Sequence, residues 1–238
     1  MKIINYLSFA AALFCAAALF SCNGDKDDDP GAKLLEGIWR PSGVYTMFEY
    51  DTKNRIVKVS GYTDRGLTLE YVHRLTYSGS ALIQFDNFAV TSSGKNQVTV
   101  SDGARSCIFD LNGDHSPTRL RFQHPDGRNS ENIYQYDDGN LTKLTCRTYD
   151  GEPQHESTLE SFYDIGHAPF LNCKTPKWWL IWQFERVVSC MENTVVREEW
   201  TDGAESGVNV ITYDFDEDDY PYRKYIDGEE VAYYTYNQ

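Results

Sequence analysis

Basic residues and histidine are scarce in this chain. Its 238 residues hold 22 Lys and Arg against 36 Asp and Glu, for a formal net charge of −14. An acid excess of that size works against nucleic acid, whose binding depends on neutralised phosphates, and against anionic membrane surfaces. The histidines are His73, His115, His124, His155 and His167. No two of them stand at the spacing that puts a zinc-binding pair on one helical face. A Gly-x-Ser-x-Gly elbow and a phosphate-cradling glycine loop are both missing. Paired carboxylates for glycoside cleavage act across space and leave no local signature, and nothing local singles out such a pair. The expectation is a chain that is not an enzyme, with no cofactor, no metal site and no nucleic-acid partner.

Two acidic runs come nearest to a calcium loop. Asp214-x-Asp216-x-Asp218 has the right start, but the loop then needs a glycine at position 219 and a glutamate at position 225, where Asp219 and Tyr225 stand. Asp110-x-Asn112-x-Asp114 fails in the same way, with His115 and Arg121 in those places. Hairpin-turn chemistry is the better reading of both. Cysteine is sparse and shows no Cys-x-x-Cys spacing. Beyond Cys15 and Cys22 the chain has Cys107, Cys146, Cys173 and Cys190. Buried thiols acting as small hydrophobes account for them; were an exported chain to form a disulfide, Cys173 and Cys190 are the nearest pair.

Only one long apolar run exists, and it opens the chain. Lys2 is followed by Ile3 to Phe20, mostly Ala, Leu, Phe and Ile, the layout of an export signal. The run ends at Leu19-Phe20-Ser21-Cys22. A small residue directly before a cysteine resembles the lipobox of bacterial lipoproteins, which implies cleavage before Cys22 and lipidation of its thiol. Residues 1–21 then form a signal peptide, 22–33 an acylated and acidic tether, and 34–238 a single β domain. Asn23 to Gly31 contains no apolar side chain larger than Pro30, so it cannot bury surface and should stay disordered. As a coil it would reach on the order of 18 Å. A short acidic run after an acylated cysteine resembles the surface-export signal of Bacteroidetes-type lipoproteins. It implies a lipid-anchored outer-membrane protein facing the cell exterior, with the periplasmic face as the alternative.

From Trp39 onward the pattern is alternation. Arg55 to Val59, Asn96 to Val100 and Arg119 to Phe122 read as strands. In Asn140 to Cys146 the apolar Leu141 and Leu144 are out of phase, which predicts a bulge or cover on both faces. Turn pairs punctuate these runs: Asp102-Gly103, Asn112-Gly113, Asp126-Gly127, Asp150-Gly151, Asp202-Gly203 and Asp227-Gly228. Such pairs accept the positive φ that tight hairpins need. A weak repeat runs through the chain as aromatic-x-aromatic-Asp, a polar turn, then a return strand. Its copies start at Phe48, Tyr134 and Tyr213, with degenerate copies at Leu75 and Ile108 and a closing Tyr234-Thr235-Tyr236. The Asp should bond the backbone amides of its own turn.

These copies look like YD-type hairpins. Together with Tyr163-Asp164, Pro169-Phe170, Asn172 and the stretch from Ser189 to Val196, they resemble an uncharacterised family of Bacteroidetes surface lipoproteins. The resemblance spans residues 34 to 238. It implies an all-β antiparallel meander of many hairpins curled into an open roll or half-barrel of porin-like kind, and it implies no activity.

Lys174 to Arg186 breaks the alternation. Thr175-Pro176 can open a helix, and the apolar residues that follow cover every helical face, so one short helix near 175–186 would pack deeply, plugging the roll. A strand is the competitor. Trp178, Trp179 and Trp182 are the candidate ligand-binding residues, as a sugar-stacking platform; core packing is the competing reading and the favoured one. The function expected is a surface-tethered, non-enzymatic binding module for glycan, lipid or another envelope protein, anchored in the membrane by its N-terminal lipid. The alternative is a structural or accessory subunit of an outer-membrane complex with no small ligand.

If Cys22 accepts the lipid, Cys22→Ser should abolish acyl incorporation and leave an unprocessed precursor. Labelling cells with a radioactive or clickable fatty acid checks this, and normal labelling of the variant would refute the anchor.

Overall fold

A computed structural model describes residues 33–123, 129–150, 152–184 and 192–237. The export segment, Cys22, the tether up to residue 32, the Asp126-Gly127 turn and Cys190 lie outside the described residues. Among those described, the chain forms sixteen strands and one α-helix. The strands are β1 (Leu35–Arg40), β2 (Val44–Tyr50), β3 (Ile56–Thr63), β4 (Thr68–Ser78), β5 (Ala81–Phe85), β6 (Phe88–Ser93), β7 (Gln97–Ser101) and β8 (Ser106–Leu111). They continue as β9 (Pro117–Gln123), β10 (Asn129–Asp137), β11 (Asn140–Asp150), β12 (Glu152–His167), β13 (Asn193–Asp202), β14 (Glu205–Phe215), β15 (Pro221–Ile226) and β16 (Glu229–Tyr236). The helix α1 (Lys177–Phe184) lies between β12 and β13.

Each strand pairs antiparallel with its neighbours in sequence, so the meander and the single helix agree with the sequence. The open roll does not. The wall closes into a barrel through β1 and β16, with Leu35 opposite Tyr236, Ile38 opposite Tyr234 and Trp39 opposite Tyr233. An open roll would leave those two strands as bare rows of unpaired amides and carbonyls. Pairing them satisfies both edges at once. Even-numbered strands end at the rim where β1 begins, here called the near rim.

Two strands change partners along their length. In β4, Thr68 to Arg74 pairs with β3 and Leu75 to Ser78 with β5. In β14, Glu205 to Val210 pairs with β13 and Ile211 to Phe215 with β15. Strands that switch in this way make corners. They divide the barrel into a seam face, running β14-β15-β16-β1-β2-β3-β4, and a long face, running β4 through β14.

The repeat explains the near rim. Each copy is a hairpin with a bulge at the same place, between Glu49 and Tyr50, Gln135 and Tyr136, and Asp214 and Phe215. At the second copy, Tyr136 faces Leu141 while Gln135 faces Lys143, so Thr142 is the extra residue. That bulge lets the out-of-phase Leu141 and Leu144 both reach the core, at 2% and 4% exposure. The second aromatic of the motif closes the rim: Tyr50 Oη donates to the Leu35 carbonyl at 2.8 Å and Tyr136 Oη to the Pro117 carbonyl at 2.8 Å. Tyr77, Tyr163 and Tyr236 make the same bond to Ile56, Leu141 and Pro221. In every case the acceptor is the first or second residue of the preceding odd-numbered strand. The third copy has Phe215 here and cannot donate.

The turns follow two designs. In Asp51–Arg55, the Asp51 carboxylate accepts from the amides of Lys53 and Arg55 at 2.9 and 3.0 Å, and Asn54 takes φ +58°. Asp216 does the same for Asp218 and Tyr220, and Asn112 for Asp114 and Ser116. The second copy instead turns on Asp138 and Gly139 alone, with φ +44° and +77°, a two-residue hairpin that needs positive φ twice.

Helix α1 lies inside the barrel. Its apolar residues point in all directions, which suits a helix surrounded by wall. Trp178 meets Phe85 and Phe109, while Phe184 packs edge-on against Phe48 across the interior. The segment before the helix is pinned to the rim: Lys174 N donates to the Asn54 carbonyl, and Thr175 Oγ1 accepts from Ile56 N at 2.7 Å. Thr175 therefore spends its hydroxyl on the wall. Beyond the helix, Asn140 Oδ1 accepts from Asn193 N at 3.0 Å.

Trp179 is 1% exposed, so Trp179→Ala should destabilise the barrel by about 3–5 kcal/mol. Urea melts followed by tyrosine fluorescence or far-UV circular dichroism test this, and an unchanged midpoint would show that the helix is not part of the core.

Candidate functional site

Sequence proximity suggested the tryptophan cluster, and the structure puts it in the interior. Trp178 and Trp179 are 4% and 1% exposed. Trp182, half-buried, sits among Phe85, Phe88, Phe109 and Phe122. Neither Trp178 nor Trp179 offers an open ring face. Cys107 and Cys173 are thiols here; burial pushes Cys107 up to about 12 and raises Cys173 as well, so neither is a ready nucleophile. Cys190, the suggested partner of Cys173, and Cys22 lie outside the described residues.

The acidic run Asp214-x-Asp216-x-Asp218 is built as a turn. Asp216 Oδ1 holds two backbone amides, and its Oδ2 accepts from Lys33 Nζ at 2.8 Å. Lys33 also reaches Asp218 at 2.5 Å. Burial pushes the Asp216 carboxyl up, but hydrogen bonds from Lys33 and from the amides of Tyr220 and Asp218 outweigh it and hold the group below its ordinary value. The acidic pair thus clamps the entry of the chain into the barrel.

The outer wall is where the two faces differ. On the long face, Leu120 and Tyr134 point inward into the core, so Arg119, Arg121 and Glu131 point out. They belong to a ladder of ion pairs. Arg121 meets Asp110 at 2.7 Å, and Arg119 Nε donates to Glu131 at 2.6 Å. Farther along, Arg147 pairs with Glu156 at 2.6 Å and Lys143 with Glu160 at 2.5 Å. Glu131 is covered by its partners. Burial raises its carboxyl, yet the bonds from Tyr149 and Arg119 and the charge of Arg147 bring it below the ordinary carboxylate value.

The seam face carries rings. Its outward positions fall into one register row across five strands: Tyr233, Trp39, Tyr45, Tyr62 and Leu69. Trp39 stacks on Tyr45 with centroids 4.4 Å apart, and Tyr45 lies 6.3 Å from Tyr62. The Tyr45 ring fills the space that a side chain on Gly37 would take. Arg223 stands opposite Tyr233 and Asp214 opposite Arg223, so the row continues into a charged end. At the other end Leu69 and Leu67 are 54% and 80% exposed. The sequence hides this row because β16 and β1 meet only on closure. The one local sign is the placing of Trp39 and Tyr45 on either side of the Pro41-Ser42-Gly43 turn.

A surface cleft of about 230 Å³ lies elsewhere, between β12, β13 and β14, lined by Asp164, Ile165, Thr194, Val196 and Phe215 among others. The buried Thr194 hydroxyl meets no hydrogen-bond partner among the described residues.

No family model matches the chain, and no curated protein matches it. Among solved structures it is similar to a porin-like protein from Bacteroides uniformis ATCC 8492, at 12% identity over 85% of this chain and 96% of that one, with a TM-score of 0.42. A porin-like protein from Bacteroides vulgatus ATCC 8482 aligns at 10% identity over 77% of this chain and 99% of that one, with a TM-score of 0.41.

The clamp at Asp216 gives a pH signature. Its carboxyl titrates lower in the folded chain than its ordinary 3.8, so its contribution is complete above that value and is lost as pH falls through the folded one. At neutral pH Asp216→Asn should cost roughly 1–3 kcal/mol. The gap between the two proteins in urea midpoint should then shrink at about pH 3; a gap independent of pH would refute the assignment.

Proposed function

We propose that the chain is a lipid-anchored barrel that stands in water at the outer membrane and acts as a non-enzymatic binding module through its outer surface. The observation that carries this is the polarity of the wall. A barrel that spans a membrane is apolar outside and polar within. Here the core is inside, filled by α1, and Arg119, Arg121, Lys143 and Arg147 stand in ion pairs outside. Each Arg or Lys on a lipid face costs about 2–4 kcal/mol at mid-membrane, so four of them, on β9 and β11, would together cost about as much as the whole stability of a typical domain, roughly 5–15 kcal/mol. Because α1 occupies the interior among Phe48, Phe85 and Phe109, recognition is assigned to the exterior.

The seam face is the part of that exterior suited to recognition, with a continuous aromatic row beside its few ion pairs, Lys58 with Glu49 and Arg223 with Glu230. A second reading, an accessory subunit of an envelope complex, draws on the exposed Phe162, Val208 and Val210 of the long face, at 42%, 49% and 54% exposure. These three are interrupted by Arg197, which stands between Phe162 and Val210 and lies over the Phe162 ring, whereas the seam row is an unbroken run of rings.

A version lacking residues 1–22 should be soluble without detergent, monodisperse and cooperative in thermal unfolding. Dependence on detergent for solubility, or partition into the detergent phase on cloud-point extraction, would overturn the water-facing reading.

A further inference from the structure

We propose that the seam-face row Tyr233-Trp39-Tyr45-Tyr62 is a binding site for a neutral polysaccharide chain laid across the strands; the inference rests on the reading of the outer wall as the recognition surface.

The geometry is that of a preorganised platform. Four neighbouring strands at about 4.8 Å spacing make a strip on the order of 14 Å long, enough for two or three consecutive sugar rings. The strip follows the register of one continuous sheet, so its side chains are fixed relative to one another by backbone hydrogen bonds. Tyr45 is held in place by the gap over Gly37, and Trp39 rests on Tyr45. Little ordering remains to be done when a ligand arrives, which is the main saving in binding cost.

The chemistry selects the occupant. An aromatic face is electron-rich and suits the C–H face of a pyranose, whereas a peptide partner would be met as well by aliphatic side chains. Polar groups stand where sugar hydroxyls would project. Arg223 and Asp214 close one end of the row, and Glu230 lies 3.8 Å from Arg223. The large acid excess of the chain repels anionic chains, so a neutral polymer is favoured. A membrane surface is disfavoured on position and on charge. The chain enters the barrel at the near rim, while Trp39, Tyr45 and Tyr62 lie toward the opposite rim, beside the β1–β2 and β3–β4 connections. Asp64 and Glu70 flank the exposed Leu67 and Leu69 and would be repelled by anionic headgroups.

The test uses the full-length protein, purified in a polyoxyethylene detergent so that no sugar headgroup competes. Native gels are cast with mixed-linkage β-glucan, galactomannan, arabinoxylan or dextran. At least one should retard the protein relative to a non-binding standard. Trp39→Ala and Tyr62→Ala should each weaken that binding at least tenfold, while Trp39→Tyr retains most of it. Thermal midpoints of the variants identify any loss caused by unfolding, and Trp39→Tyr keeps the test valid if Trp39→Ala does not fold. Phe162→Ala, on the long face, should bind as the parent does. Lack of retardation by all four polymers would overturn the proposal, as would equal weakening by Phe162→Ala. Sedimentation with phosphatidylglycerol vesicles that depends on Trp39, without binding of any polymer, would also overturn it and assign the row to the membrane. These outcomes differ from detergent dependence of the trimmed chain, which would remove the water-facing reading itself.

Discussion

A closed wall of sixteen strands is too wide for its own side chains to meet across the middle, since barrels of that size ordinarily enclose an aqueous channel. The rest of this structure depends on how that space is filled. Residues 168–184 leave the meander and turn inward, and α1 delivers Trp178, Trp179 and Phe184 to the centre. The wall meets them with its own large rings, Phe48 from one side and Phe85 and Phe109 from the other. A helix that is apolar on every side would be unstable alone, and it is stable here because every side has a neighbour. The rim tyrosines complete the arrangement by joining ring packing to backbone hydrogen bonds at the end where the plug enters.

Filling the interior sets the sign of the exterior. Alternation along each strand puts successive side chains on opposite faces, so a core inside frees the outward positions for water. The long face uses them for Arg–Glu and Lys–Glu pairs, each worth little singly but together setting which solvent the wall can face. The seam face uses the same positions for Trp39, Tyr45 and Tyr62. The corners at β4 and β14 separate the two programmes, so one barrel presents two chemically distinct sides.

What could be read in the sequence was local. The Asp51 and Asp216 turns, the hairpin at Asp138-Gly139 and the bulge between Leu141 and Leu144 each rest on a few adjacent residues, and each stands in the structure as the residues imply. The helix was legible because Trp178 to Phe184 have no polar side. Closure was not legible, because no residue near Leu35 signals that Tyr236 will pair with it. The seam row was hidden for the same reason, since it joins residue 233 to residue 39. Adjacency in sequence made Trp178, Trp179 and Trp182 conspicuous, yet adjacency along a buried helix is a sign of packing, and the isolated Trp39 is the tryptophan that faces outward.

The seam also bears on how the chain reaches this state. Hairpins along the meander can form from near neighbours, but β1 must wait for β16, the last strand in order. Contacts between positions so remote in sequence make folding slow. Until the last strand arrives, β1 and β15 offer open edges that any other strand could join. A chain cut short before Glu229 would keep those edges permanently, and its natural fate would be to add strands from other copies of itself. The joint that completes the barrel is therefore also its safeguard against self-association, and it becomes effective only once β16 has been made.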